Sequence, residues 1–491
     1  MRRRPQSPLN GPSAARGSAL PRGSALAARS GVPRGSGVPR GSAVALGAAL
    51  VMLSSPRAAE ASGFASARFG GEHGNVTTSN PTALYYNPAG IGFSRGVHLF
   101  VDGNLAWRRV SWDHAPTSAE PEPPGSEGAN HGRAEQSNVF GAPMLGASFR
   151  LGSLALGAAV FVPFGGRSEW SKNDAFAGSE AYPLAADGVQ RWHSIRGALT
   201  YLYGSAGAAY RIGPLSLGAS VNIIHSSVQS LRAKNFAGDT LPDVDSEGRA
   251  ELDVSGVQGS FGLGVMFEAI EERLWFAASY QAQPGLGAMQ LDGTLDITDR
   301  GVSGEREVTL DQALPDIVRA GARWRAQETL ELRLFGDMTR WSVLQTQCLA
   351  LTGSRCAVTS SGADPNGGVI PLNLLRRWND TFGVRAGAST WFLPALETFA
   401  GLGFETAATP DATLDPELPD ASNLALALGV RWQPIDALFV STSYTHLLYF
   451  ERDNTGKSEL PLADIPTRRP DSGGVYAQSI GIFNLNVEKE F

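Results

Sequence analysis

Basic residues are scarce in this chain once its first 61 residues are set aside. That stretch carries nine arginines and a single acid, Glu60, and residues 62–491 have a net charge of about −14. A nucleic-acid partner is disfavoured, because duplex binding depends on Lys and Arg neutralising phosphates. Cysteine is nearly absent. Cys348 and Cys356 are the only two, and in an exported chain one loop-closing disulfide is favoured over two free thiols or a metal pair. The seven histidines, at positions 73, 98, 114, 131, 193, 225 and 446, show no metal-ligand spacing, and no Walker motif occurs. No metal and no cofactor is expected. Gly92-Phe93-Ser94-Arg95-Gly96 matches the G-x-S-x-G pattern, but a nucleophile elbow needs a strand before it and a helix after it. Neither is predicted here, so the chain is not expected to be an enzyme.

A membrane-spanning helix is missing too. The apolar run Ala43 to Leu53 covers about 11 residues, where a helix needs roughly 20 to cross. Three arginines follow Met1, Pro-Arg-Gly-Ser recurs at Pro21, Pro33 and Pro39, and the apolar run leads to Ala59-Glu60-Ala61. Residues 1–61 therefore read as a low-complexity leader with a cleaved secretory signal.

What is present is alternation. Leu424, Leu426, Leu428, Val430 and Trp432 alternate with Asn423, Ala425, Ala427, Gly429 and Arg431, and Val97, Leu99, Val101, Leu105 and Trp107 with His98, Asp102, Asn104 and Arg108. At the C-terminus, Phe483, Leu485 and Val487 alternate with Asn484, Asn486 and Glu488 up to the final Phe491. A period of two is a strand with one apolar face. Fourteen such strands are predicted, near 96–113, 138–150, 153–164, 193–211, 215–229, 253–268, 272–283, 314–326, 328–342, 378–392, 397–408, 422–433, 437–450 and 479–491. Six tight turns alternate strictly with seven long connections. A soluble sandwich shares the alternation but not that asymmetry, which belongs to bacterial outer-membrane barrels. The fold class is all-β, a transmembrane antiparallel barrel spanning residues 96–491. Trp107, Trp112, Trp170, Trp192, Trp324, Trp341, Trp378, Trp391 and Trp432 fall near strand ends, where interfacial girdles are expected.

Residues 62–95 precede the first strand. They are Gly-, Asn- and Pro-rich, yet carry Phe64, Phe69, Leu84, Tyr85, Tyr86 and Ile91. Those groups need burial, and the barrel lumen is the place for it, so this segment reads as a plug or hatch. The Asn87-Pro88-Ala89 signature, Val162-Pro163-Phe164-Gly165 followed by Trp170, Leu314-Pro315 leading to Trp341, and Trp378 through Leu418-Pro419-Asp420 to Phe491 together resemble the FadL/TodX-type transporters of long-chain fatty acids and hydrophobic compounds. The resemblance implies a fourteen-stranded barrel closed by an N-terminal hatch that contains Asn87, Pro88 and Ala89. It also implies a kink in the third strand, near Gly157 or Pro163, that opens the wall sideways.

The expected function is uptake of a long-chain fatty acid or another hydrophobic ligand, with a general porin, an outer-membrane enzyme and an adhesin as alternatives. Arg108, Arg319, Arg323, Arg333, Arg385 and Arg431 are candidate contacts for a ligand carboxylate. Pairing with lumen acids such as Asp102, Glu331 and Asp337 is the plainer role for them. Outer-membrane lipids and lipopolysaccharide would surround the barrel. The terminal Phe491 resembles the signal read by the barrel-assembly machinery.

Overall fold

The structure, a computed structural model, describes residues 68–117, 120, 122–235, 242–299 and 301–491. The predicted leader, residues 1–61, and the start of the predicted plug up to residue 67, Phe64 included, lie outside the described residues. Among those described, no helix is long and apolar enough to cross a membrane.

Fourteen antiparallel strands form the wall: β1 (Val97–His114), β2 (Gly132–Leu151), β3 (Leu154–Glu169), β4 (Arg196–Ile212), β5 (Leu215–Asn235), β6 (Glu247–Ile270), β7 (Leu274–Gln281), β8 (Ile317–Gln327), β9 (Leu330–Thr339), β10 (Thr381–Leu393), β11 (Leu396–Glu405), β12 (Asn423–Ile435), β13 (Leu438–Tyr449) and β14 (Gly474–Glu490). Each pairs with its sequence neighbour, and β14 pairs with β1 from His98↔Glu490 to His114↔Gly474, so the sheet closes. At the seam the Phe491 N–H donates to Val97 O at 2.9 Å, and the Val97 N–H donates back to Phe491 O at 3.2 Å. Closure gives every wall strand a partner on both sides.

The wall is packed inside out relative to a soluble protein. Leu428 is 67% exposed while its neighbour Ala427 is 3% exposed, and along β14 Phe483 and Leu485 face outward while Asn484, Asn486 and Glu488 are buried. An apolar exterior around a polar interior suits a barrel solvated by lipid. Leu428→Lys is accordingly expected to cost about 2–4 kcal/mol of stability, since β12 places it mid-strand on the outward face. Ala427→Ser, facing inward, serves as the control. Equal denaturant midpoints for the two variants in vesicles would contradict this arrangement.

Three features differ from the sequence reading. Several strands run further at the long-loop end, and further strands stand above it: Ala288–Asp299 pairs with Val302–Ala313, and Thr346–Leu351 joins that hairpin to Leu372–Leu375. The outward apolar period stops where the strands leave the lipid, which is why the sequence predicts them short. Second, only Trp107, Trp324 and Trp432 of the proposed girdle are well exposed. Trp112, Trp170, Trp192, Trp341 and Trp378 are buried instead, beneath the long loops. Third, Cys348 and Cys356 are bonded, with Cα atoms 6.1 Å apart, but Cys348 is buried within the strand Thr346–Leu351, where the sequence predicts only a long connection between residues 342 and 378.

Candidate functional site

Residues 68–95 lie inside the barrel against inward-facing side chains from many strands. Phe69, Leu84, Tyr85, Tyr86 and Ile91 are all buried. Phe69 and Tyr85 meet Phe161 of β3 at ring-centroid distances of 5.6 and 5.5 Å. Arg319 of β8 lies 4.6 Å over the Tyr85 ring and donates to Tyr85 O at 3.3 Å. On the other side His73 meets Glu397 of β11 at 2.7 Å, and the Gly70 N–H donates to Asp102 of β1.

Asn87 organises the last part of this segment. Its Nδ2 donates to Val76 O at 2.8 Å and to Val265 O of β6 at 3.1 Å, while its Oδ1 accepts the Ala89 N–H at 3.1 Å and caps the 3-10 turn Pro88–Phe93. Proline suits that first position, where its missing N–H is not needed. The Ser216 hydroxyl of β5 donates to Ala89 O at 2.7 Å. Glycines let the walls come this close: a Cβ on Gly264 would stand 1.8 Å from Asn87 Oδ1, and one on Gly218 2.3 Å from the Ala89 nitrogen. Ser94, from the G-x-S-x-G match, is buried and donates to Ile91 O at 2.6 Å, with a strand and no helix after it.

Nearer the long-loop end is a cavity of about 810 Å³, counting its mouth. Its apolar lining comes from Leu199, Val228, Leu252, Leu310, Leu349 and Leu372 among others, with Arg108, Arg232, Arg376 and Glu417 as the charged groups. Arg376 is neutralised by Asp415 and Glu417, each at 2.9 Å. Burial alone would lower its pKa, but those two carboxylates hold it above the ordinary value. Arg108 donates to Gln478 Oε1 at 2.9 Å, a neutral partner. Arg232 forms no hydrogen bond or ion pair within the described residues; the carboxylates whose charge reaches it, Glu417 and Asp415, are both bonded to Arg376.

The wall beside this cavity is incomplete. β2 and β3 pair only from Leu151↔Leu154 to Met144↔Phe161. Beyond that, Gln136–Pro143 of β2 remains paired with β1, and Phe164–Glu169 of β3 with β4, but not with each other. A bulge between Phe161 and Phe164 bends β3 away. Pro143 and Pro163 lack the N–H that would continue the ladder. The gap closes again at the Gln136↔Trp170 bridge and the Ser168 hydroxyl, which donates to Gln136 Oε1 at 2.9 Å. Gly166 and Ser168 line both the gap and the cavity. Through the β1 register the gap stands at the level of Leu105 and Trp107, which face outward.

A closed barrel with a filled lumen and a side gap invites comparison with known proteins. Residues 48–463 match the family described as outer membrane protein transport protein (OMPP1/FadL/TodX). The chain belongs to this family. It is therefore an outer-membrane transport barrel of bacteria, and by the habit of such barrels its seven long connections face outside and its six short turns the periplasm. No curated protein sequence matches it. Among solved structures it is similar to a Pseudomonas aeruginosa FadL homologue (16% identity, 88% of this chain and 98% of that one, TM-score 0.68). It is similar also to the P. putida toluene transporter TodX (14%, 86% and 96%, TM-score 0.60) and the Ralstonia pickettii toluene transporter TbuX (16%, 89% and 97%, TM-score 0.56).

Within the family framework the expected site residues separate. Pro163 lies in the bulge, whereas Gly157 pairs regularly with Ser148 and is not part of the bend. Of the six arginines only Arg108 lines the large cavity. Arg319 serves Tyr85 and Gln281, Arg323 stacks 4.2 Å over Trp275, and Arg333 donates to Ser389. Arg385 and Arg431 face Asp337 and Glu488 at 3.8 and 3.0 Å. These five hold the lower lumen together and are not placed to meet a ligand in the cavity. Sequence reasoning misses Arg232 and Arg376, one lying past the predicted end of its strand and the other in a predicted loop. Pro143, inside the predicted second strand, is the local signal for the gap on the β2 side, as Pro163 is on the β3 side.

Proposed function

We propose that this protein takes up amphipathic carboxylates of the long-chain fatty-acid kind, passing them from the cavity through the β2/β3 gap into the outer leaflet. The observation that carries the reading is Arg232, whose neighbouring carboxylates Glu417 and Asp415 are already bonded to Arg376, in an apolar cavity that abuts the gap. Each methylene withdrawn from water gains about 0.8 kcal/mol, so the leucine lining suits an alkyl chain. A charge-assisted bond from Arg232 to a carboxylate adds about 1.5–3 kcal/mol. An uncharged aromatic, of the sort the toluene transporters are named for, would offer that guanidinium no hydrogen-bond acceptor of its own.

In this reading residues 62–95 are a hatch, and Asn87, Pro88 and Ala89 hold it in one closed arrangement. A side exit spares the ligand a passage through the polar lower lumen. Phe491, clasped to Val97 at the seam, is the group offered to the assembly machinery.

The test is binding of a labelled long-chain fatty acid to the purified protein, with toluene as competitor. Arg232→Leu is expected to weaken fatty-acid binding about tenfold or more while leaving an alkane of equal length unaffected. Unchanged fatty-acid affinity in the variant, or tighter binding of toluene than of the carboxylate by the native protein, would overturn the reading.

A further inference from the structure

The long-loop rim brings together three groups that sequence spacing hides. His114 ends β1, His131 closes the connection to β2, and Glu120 lies between them. His114 Nε2 stands 3.1 Å and His131 Nε2 3.9 Å from Glu120 Oε2, and the three atoms all lie within 4.8 Å of one another. No motif announces this set, because Glu120 and His131 stand six and seventeen residues after His114, a spacing that matches no common ligand pattern.

Hydrogen bonding fixes which way the electron pairs point. The Nδ1 of His114 lies 2.6 Å from Gly473 O, an acceptor only, so Nδ1 carries the proton. The Nδ1 of His131 lies 3.4 Å from Glu122 Oε1, again an acceptor. His131 Nε2 also receives a long 3.3 Å bond from the Thr117 N–H, which marks it as the unprotonated nitrogen. In the neutral tautomers the His114 Nε2 lone pair therefore faces a carboxylate oxygen at 3.1 Å, while that of His131, held weakly by the Thr117 N–H, lies 3.9 Å from the same oxygen. Three electron-pair donors brought together in this way repel unless a proton or a metal cation stands among them.

The surroundings agree. His114 and Glu120 are almost completely buried and His131 is half-buried. The two imidazoles stack at 5.1 Å, with Trp112 stacked at 4.5 Å on His114. The other Glu120 oxygen accepts the Asp471 N–H at 2.7 Å. Among the described residues no Arg or Lys pairs with Glu120. Each first ligand thus has an outer partner that orients it: a carbonyl for His114, a carboxylate for His131, an amide for Glu120. That pattern of support is characteristic of metal-bound histidine and carboxylate.

The geometry points to a binding site for one divalent transition cation, Zn2+ or a close relative, held by His114, Glu120 and His131 with a fourth position open. Zn2+ favours His nitrogen and carboxylate oxygen at about 2.0–2.2 Å, which sets two ligand atoms of a tetrahedral ion about 3.3–3.5 Å apart. The two N···O separations, 3.1 and 3.9 Å, bracket that value, and the stacked rings, 28° apart in plane, would turn to bring both lone pairs onto one ion. Because Gly473 and Asp471 belong to the connection before β14, the ion would tie the first long loop to the last, directly above the seam. The second grouping of this kind, His98 with Glu488 and Glu490, does not qualify. Its Glu488 is already engaged by Arg431 at 3.0 Å and by Asn80 at 3.3 Å.

The experiment uses the full-length protein in detergent, stripped with a chelator and titrated with Zn2+ by calorimetry, with Co2+ as a spectroscopic substitute. One Zn2+ per chain is expected, together with visible d–d absorption from bound Co2+. His131→Gln and Glu120→Gln are each expected to weaken Zn2+ binding about tenfold or more, whereas His98→Ala leaves it unchanged. His131 is only half-buried, so its variant should keep the heat-modifiable mobility of a folded barrel. No stoichiometric Zn2+ binding by the native protein would show that protons alone neutralise the cluster. That result, or native-like affinity in folded His131→Gln, overturns the proposal.

Discussion

Gly264→Val is expected to raise ion conductance about tenfold or more in planar bilayers. The cause is steric. The first carbon of any side chain at 264 would stand 1.8 Å from Asn87 Oδ1 and 3.2 Å from the Ala89 nitrogen, and neither belongs to a flexible tip. Asn87 is fully buried and bonded on both sides. Overpacking of this kind costs about 1–3 kcal/mol, and 1.4 kcal/mol is already a tenfold change in the balance between seated and unseated forms. Gly259→Val, on the same strand, meets nothing nearer than 3.9 Å and should remain silent. Comparison needs equal insertion of the two variants. A quiet Gly264→Val channel would mean that the segment gives way without opening a path, and would count against its role as a hatch.

Removing Pro163 together with Pro143→Thr is expected to reduce uptake about tenfold or more while fatty-acid binding stays intact. Between Phe161↔Tyr203 and Phe164↔Tyr201, β3 holds one residue more than β4, which is what a bulge is. Deleting one residue restores strict alternation and keeps Phe164, Gly166 and Ser168 facing inward. Replacing Pro143 supplies a backbone N–H that β2 lacks at this position. The β2/β3 ladder can then extend beyond Met144, and the side gap narrows. Binding and uptake are measured separately, because the cavity itself is untouched. Native uptake in this variant would show that the ligand leaves by another route; loss of both activities would show that the deletion had damaged the cavity.

The wall is legible in the sequence because lipid enforces a simple rule. Each outward position between Leu424 and Trp432 has to be apolar, so the period survives and strands can be counted. Once a strand rises above the lipid that rule lapses. Periodicity alone ends strand β5 at 229, since Ser230, Leu231 and Arg232 break the pattern, and Arg232 is lost with it. The cavity is illegible for a related reason: Leu199, Val228, Leu252, Leu310, Leu349 and Leu372 come from six separate strands, and nothing local marks them as neighbours. The burial of Tyr85, Tyr86 and Ile91 is foreseeable, because large apolar groups in an irregular segment need cover. Which inner positions are glycine, and so leave room for that segment, depends on three-dimensional proximity alone.

The seam between Val97 and Phe491 also bears on the order in which the barrel folds. The two strands that close the ring lie at opposite ends of the described chain, so their contacts span nearly the whole of it. Until that seam forms, the sheet is an open curl with two raw edges, each able to recruit a foreign strand. Residues 68–95 immediately precede the first of those edges. They are therefore enclosed as the curl wraps round them, like a hand closing on an object already in the palm, and need not be threaded through a finished ring.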